Sequence, residues 1–341
     1  MGYEIMEVPI NLVLATEKAA IAASSWIGSG QKEEADKAAT DAMRETLDSS
    51  IEIATNVVIG EGIKDKSFGL FRGETLGKKA KVWENNPTRY NILYGKKPYW
   101  LDMAVDPLEG TTPTVTSGPE AMCAIALGSP NSMFHTHYFY MNRIVYGKKI
   151  KDKVSLSLDN PIEENLRLAS EATGKPIPEL KVCVLDRPRH KNIINCLRKN
   201  NVRIKLLRDC DISGAIAACL PNSDVDFLYG IGGSPEAVIS AAAIKSLQGG
   251  MEAQIYEKNL TGKSCPIFTN KKDKWHAIGD VLPIERMIAG TAMFVGTGVT
   301  KGSVLDGVKN TKNKLITHSV YMKSDTREVR FIRTYHNKNN K

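Results

Sequence analysis

Apolar positions along this chain switch between two spacings. Over 11–27 they form an Ala-rich run that reads as a buried helix, broken at Gly28-Ser29-Gly30. Ala35, Ala38, Ala39, Ala42, Met43, Thr46 and Leu47 then make one stripe at helical spacing and predict a second helix over about 32–48. Val57, Val58 and Ile59 read as the body of a short strand ending in Gly60-Glu61-Gly62. Over 100–106 the chain alternates, with Leu101, Met103 and Val105 on one side and Asp102, Ala104 and Asp106 on the other, as a strand requires. Segments 121–127 and 143–146 read as further strands. The stretch 77–97 is basic, Asn-rich and without a period, and is expected to be a long surface excursion.

From about residue 160 the rhythm is regular. Helix 163–173, strand 181–185, helix 190–198, strand 203–207, helix 212–220, strand 225–229 and helix 235–247 follow one another, which argues for a three-layer α/β domain. Segment 315–335 reads as a hairpin turning at Ser324-Asp325. The expected fold class is α/β in two domains, divided at 155/156 into 1–155 and 156–341.

Composition narrows the function classes. Of 341 residues, 42% are hydrophobic and 25% charged, which is ordinary for a soluble globular protein. No apolar run approaches membrane-spanning length, and 1–10 carries Glu4 and Glu7 without the basic and apolar regions of a secretory signal. Six cysteines without a CxxC pair read as a reduced, cytoplasmic chain. The net charge of +8 gathers at 148–153, 309–314 and 338–341, as solvated loops and a tail. Basic residues interleaved with aromatics on one face are missing, so no nucleic-acid partner is expected. Attraction of a polyanionic small molecule is the more economical use of the charge.

The chemistry concentrates in carboxylates. Asp106-Pro107-Leu108-Glu109-Gly110-Thr111 places a carboxylate at a strand end, a proline that stiffens the turn, and a second carboxylate three residues on. Asp106, Glu109 and the Leu108 carbonyl are oxygen donors of the kind hard divalent cations take. The alternative for this segment is a solvated polar turn. Glu61 stands between two glycines, Asp36 lies at the edge of its helix's apolar stripe, and each alone is equally compatible with a solvated side chain. In Gly232-Gly233-Ser234-Pro235-Glu236, Ser234 is suited to cap a helix, Pro235 to its first position and Glu236 to its first turn. The glycines before the cap offer a backbone cradle for phosphate.

These residues also match a family. The chain resembles the class II (GlpX-type) fructose-1,6-bisphosphatases, within the lithium-sensitive, metal-dependent sugar and inositol phosphatases. The resemblance runs over about 11–333 and rests on Gly30-Gln-Lys-Glu-Glu-Ala-Asp36, Val58-Ile-Gly-Glu-Gly62 and Ala104-Val-Asp-Pro-Leu-Glu-Gly-Thr111. It rests equally on Leu185-Asp-Arg-Pro-Arg-His190, Asp209-Cys-Asp211, Tyr229-Gly-Ile-Gly-Gly-Ser-Pro-Glu236 and Thr297-Gly-Val-Thr-Lys-Gly302. It implies a layered α-β-α-β-α architecture of two domains, with metal binding in 1–155, and sugar-phosphate contacts and Glu236 in 156–341. It implies that Asp36, Glu61, Asp106, Glu109 and Glu236 ligate Mn2+ or Mg2+. Gly110, Thr111, Tyr140, Arg187, Pro188, Arg189, Asp209, Cys210, Asp211 and Gly233 match substrate-binding positions.

The implied reaction is hydrolysis of the 1-phosphate of fructose 1,6-bisphosphate, with Asp36, Thr111 and Glu61 as the catalytic set and gluconeogenesis as the setting. A metal-activated water is the implied nucleophile, oriented by Asp36 and Thr111. Arg187 and Arg189 suit the remote phosphate, and Asp209 and Asp211 suit sugar hydroxyls. Asp65 matches a further acidic position, and a homodimer or homotetramer is implied. The nearest alternative substrate is sedoheptulose 1,7-bisphosphate, and the alternative class is a sugar-phosphate sensor without turnover. Such a sensor would be expected to have lost Thr111 or a metal carboxylate, and all are present in the sequence.

Three features depart from the family pattern: a longer 78–99 segment, Cys210 in place of a small glycine, and Thr112-Pro113-Thr114 after Gly110-Thr111. His135-Thr136-His137 lacks a third ligand nearby and reads as structural or surface. The glycines of 230–233 lack dinucleotide-loop spacing, which argues against a Rossmann oxidoreductase.

Overall fold

The computed structural model describes residues 10–60, 69–136, 140–256 and 279–338. The chain forms two compact units, 1–133 joined by 289–341, and 134–288. This differs from the division read at 155/156, because the last strands pair back into the first sheet.

The first unit opens with helices α1 (Val13–Ser24) and α2 (Lys32–Ser50), strands β1 (Ala54–Ile59) and β2 (Thr75–Leu76), and helices α3 (Lys78–Asn85) and α4 (Pro87–Tyr94). Strand β3 (Trp100–Glu109), the short helix α5 (Thr111–Val115) and β4 (Met122–Gly128) follow. Small residues on α1, including Ala15, Ala19 and Ala23, are wholly buried and allow α1 and α2 to pack together against the sheet. The expected excursion at 77–97 is instead the pair α3 and α4. Asn86 accepts the Arg89 N–H at 2.9 Å to cap α4, Pro87 takes its first turn and Gly95 ends it in the left-handed conformation. Trp83 stacks edge-on against Tyr90, and Tyr90 lies beside Tyr94.

The second unit runs through β5 (Tyr140–Tyr146), α6 (Lys148–Lys151), α7 (Ile162–Thr173), β6 (Lys181–Leu185), α8 (Lys191–Lys199) and β7 (Arg203–Leu207). It continues with α9 (Asp211–Cys219), β8 (Phe227–Gly233), α10 (Ser234–Ser246), β9 (Gly250–Ile255), β10 (Leu282–Pro283) and α11 (Ile284–Met287). Its sheet has the order β10-β9-β5-β8-β6-β7, with β6 parallel to β7 and β8, and β5 antiparallel to β8 and β9. Ile144, Val182, Val184, Leu166, Leu197 and Phe227 centre its core. The helices and strands expected from the alternation after residue 160 are present, within a few residues at their ends.

The chain then returns to the first unit as β11 (Ala292–Gly298), β12 (Lys309–Asn310), β13 (Lys314–Lys323) and β14 (Glu328–Asn337). The first sheet has the order β12-β13-β11-β4-β3-β1-β2, with β14 paired to β13. Buried side-chain bonds tie the returning strands to α1: the Thr16 and Thr297 hydroxyls lie 2.7 Å apart, and Thr317 donates to Glu17 at 2.9 Å.

Candidate active site

In the first unit the candidate residues sit where β3 meets α5. Two carboxylates three positions apart on a regular strand point to opposite faces. Here Asp106 pairs with Ala124 and Glu109 with Met122, so β3 carries one extra residue between them. That bulge brings Asp106 and Glu109 to the same face of the sheet, and Pro107, which has no N–H to donate, is tolerated within it. Asp106 accepts the Leu108 N–H at 3.1 Å, and Glu109 is buried at 5% exposure. Gly110 follows with φ 90°, a turn that only glycine makes at no steric cost, and Thr111 begins α5. The Thr111 hydroxyl is 3.4 Å from the Leu108 carbonyl, to which it donates. The loop between α1 and α2 is bonded to α5, Gly28 N–H to Thr114 O at 3.1 Å and Gly30 N–H to Val115 O at 3.0 Å, and α2 packs on α5.

Asp36 lies half-buried in the second turn of α2. Its charge and that of Asp106 both reach the buried Cys123 thiol, whose pKa is pushed well above its ordinary value by burial, then Asp106, then Asp36. The two carboxylates therefore share one neighbourhood. Glu61 and Asp65 lie outside the described residues, as does His137.

In the second unit a polar cluster lies among β5, β8, α9, α10 and the loop after β6. Arg187 makes an ion pair with Asp209 at 3.3 Å, and both remain about one-third exposed. Pro188 begins a short 3-10 turn ending at His190. Arg189 donates from Nε at 3.0 Å and from Nη2 at 2.9 Å to the Ile231 carbonyl, and its guanidinium stands 5.1 Å from the Tyr140 ring centroid. His190 is fully buried; its Nδ1 meets the Leu185 carbonyl at 2.7 Å and its Nε2 accepts the Ile231 N–H at 2.7 Å. Since Nε2 accepts, the proton sits on Nδ1, and burial lowers the pKa of this neutral ring. The loop that carries both arginines is thereby pinned to β8.

Cys210 is buried and holds a left-handed conformation, φ 68°, before α9, and Asp211 opens that helix. Asp211 is buried in an ion pair with Arg143 of β5, a residue that sequence reading treated only as the start of a strand. A charged side chain in the otherwise apolar Arg143-Ile-Val-Tyr146 run is the signal that could have found it.

Glu236 sits in the first turn of α10 with its Oε2 shut off from solvent and without a hydrogen-bond partner. Burial, and then the Asp211 charge, push its carboxyl up to about 7. Ser234 is the first helical residue of α10 rather than its cap; Gly233 takes the cap position, without a side-chain bond. A β-carbon on Gly233 would overlap the Glu236 carboxylate, so this glycine is required for close approach.

Among the described residues no group of three or more His, Cys, Asp or Glu side chains gathers closely enough to hold a metal ion. Asp36, Asp106 and Glu109 belong to the first unit and Glu236 to the second. The donor chemistry nevertheless fits a hard cation. These are all carboxylates, and the buried, unpartnered Glu236 oxygen lacks what a cation would supply.

Comparison with known proteins decides the family. The sequence profile described as bacterial fructose-1,6-bisphosphatase, glpX-encoded, matches residues 6–336. This chain belongs to that family. The class 2 fructose-1,6-bisphosphatase of Haemophilus influenzae is 33% identical over 336 residues, covering 96% of this chain and 95% of its own length. The fructose-1,6-bisphosphatase 1 class 2 of Escherichia coli K12 is 33% identical over 344 residues, covering 97% and 95%. The chain is thus an enzyme of the phosphatase class with the two-unit α/β build expected of it. No described helix is long and apolar enough to cross a membrane.

Proposed function

We propose that this chain hydrolyses the 1-phosphate of fructose 1,6-bisphosphate, giving fructose 6-phosphate and phosphate in gluconeogenesis. The observation that carries the reading is family membership across residues 6–336, joined to a strand bulge that turns two carboxylates to one face. Asp36, Glu61, Asp106, Glu109 and Glu236 would hold Mn2+ or Mg2+. When bound, the cation neutralises the scissile phosphate and makes water a better nucleophile at neutral pH. Thr111 and Asp36 orient the attacking water, and Asp36 takes its proton. Gly110 leaves room for a phosphate beside the backbone. Tyr140, Arg187, Pro188, Arg189, Cys210 and Gly233 bind the substrate, the arginines neutralising the remote phosphate. Asp209 and Asp211 accept hydrogen bonds from sugar hydroxyls. The cytoplasm and a homodimer or homotetramer are the setting that family resemblance supports.

Phosphate release from fructose 1,6-bisphosphate with Mn2+, with Mg2+ and with a chelator tests this directly, beside fructose 6-phosphate and inositol 1-phosphate. Turnover of the bisphosphate alone, abolished by the chelator, is expected. Asp106→Asn is expected to lower kcat by at least about 100-fold, and Thr111→Ala by about 100-fold with partial return in Thr111→Ser. Full activity in Asp106→Asn would overturn the site assignment, and inactivity of a folded wild type under both metals would overturn the reaction.

A further inference from the structure

Arg143 has no role in that function, yet among the described residues of the second unit it is the most deeply buried charged side chain, at 1% exposure. It lies on β5 three residues after Tyr140. The register pairs Tyr140 with Gly233, Met141 with Gly232 and Arg143 with Gly230, so Arg143 shares its sheet face with Gly230 and Gly232. A β-carbon at 232 would overlap both the Arg143 Nη2 and the Asp211 Oδ2, and one at 230 would press on the His190 ring at 2.9 Å from Nε2. Gly232 is the space in which the guanidinium and its partner lie, and Gly230 leaves room for the His190 ring.

The pair is asymmetric. Arg143 Nη2 holds Asp211 Oδ2, while Asp211 Oδ1 on one side and Arg143 Nε and Nη1 on the other are buried with no hydrogen-bond partner. A buried carboxylate oxygen without a donor is unfavourable unless something arrives to supply one. A sugar hydroxyl supplies a donor; a phosphate does not. The Glu236 carboxylate is close enough to feel both charges, Asp211 unfavourably and Arg143 favourably. Without Arg143 two carboxylates would crowd one buried place, and Asp211 would turn away.

We infer that Arg143 is a positioning residue of the sugar site, which holds one oxygen of Asp211 so that the other is presented to a hydroxyl of the substrate. This rests on the phosphatase reading and deepens it. In this reading Arg143 acts through Asp211 and not on the phosphate or the reacting atoms. Its contribution is to binding, uniform between ground and transition states, so its loss is read in KM rather than in kcat.

A double-mutant cycle on the full-length chain tests it, with Arg143→Met, Arg143→Lys, Asp211→Asn and both double variants. KM and kcat for fructose 1,6-bisphosphate are measured in saturating Mn2+, with the melting temperature of each. Arg143→Met is expected to raise KM about 30-fold with kcat changed less than about 3-fold, and Arg143→Lys, which keeps charge but loses the fork, to recover part of it. Because Arg143 acts through Asp211, adding Arg143→Met to Asp211→Asn is expected to raise KM no more than about 2-fold further. A merely structural arginine would lower the melting temperature in every background and leave the effects on KM multiplying. Multiplying effects, or a KM in Arg143→Met within about 2-fold of wild type, would overturn the inference. Should Arg143→Met not fold, the cycle of Arg143→Lys with Asp211→Asn gives the same decision. An inert wild type would instead overturn the phosphatase reading, and this inference with it.

Discussion

A single methyl group at position 232 would have to share space with a buried ion pair. The β-carbon of an alanine there overlaps both the Arg143 guanidinium and the Asp211 carboxylate, and neither can swing out to solvent. Gly232→Ala is therefore expected to lower kcat/KM by roughly 10–100-fold, chiefly through KM, while far-UV circular dichroism stays that of wild type. Unchanged kinetics would mean that the pair has slack. Gly233→Ala bears instead on the Glu236 carboxylate, so its expected signature is a higher Mn2+ concentration for half-maximal activity. Sequence reading took these two glycines as a backbone cradle ahead of a Ser234 cap. In the structure Gly233 makes room for Glu236, three residues on, but Gly232 makes room for side chains from elsewhere in the chain, Arg143 being 89 residues before it by number, and that need leaves no local mark.

At the scale of elements, strand β3 shows what is and is not legible. Its alternation marked the strand and its carboxylates from sequence alone, but strict alternation places Asp106 and Glu109 on opposite faces. Only the register with β4 reveals the extra residue that reconciles them. Deleting Pro107 would remove that residue and leave Asp106 and Glu109 two positions apart, on the same face of a regular strand. The expected result is phosphate release that stays above the background of Asp106→Asn, with phosphate-release kinetics and circular dichroism as the paired measurements; loss to that background in a folded variant would show that the bulge sets more than the facing. Helices α3 and α4 were missed for another reason. Each has eight residues, too short for a helical period to stand out in a Lys- and Asn-rich stretch. The signals present were at the ends, Asn86-Pro87 and Gly95, and in aromatic side chains whose packing no local pattern reports.

The whole molecule adds what neither residues nor elements carry. The return of β11 to pair with β4, and of β13 beyond it, puts the end of the chain into the first unit. Such pairing over a long sequence separation is why a division at 155/156 looked natural: the change of rhythm was real, but the rhythm does not say where the later strands go. The folded chain also has titratable groups that pull its stability in opposite directions as pH falls. His190 in the second unit, and His318 and His336 in the first, all have pKa values lowered chiefly by burial. Unfolded, each titrates near about 6.5, so their contribution is intact above that pH and is lost as pH falls through their lower folded values. His190 should matter most, since a second proton would have to enter at Nε2, which already accepts the Ile231 N–H. Glu236 opposes them: its carboxyl, raised to about 7, costs the fold stability at neutral pH and gives it back as the pH falls toward the ordinary carboxylate range. In chelator, therefore, Glu236→Gln should have a melting temperature that drops more steeply than wild type between pH 7.5 and about 5.5, because the carboxyl that opposes the histidines is then gone. A shallower drop in Glu236→Gln would mean that the carboxylate is ionised in the metal-free fold, and that Arg143 compensates its burial more fully than the unpartnered oxygen indicates.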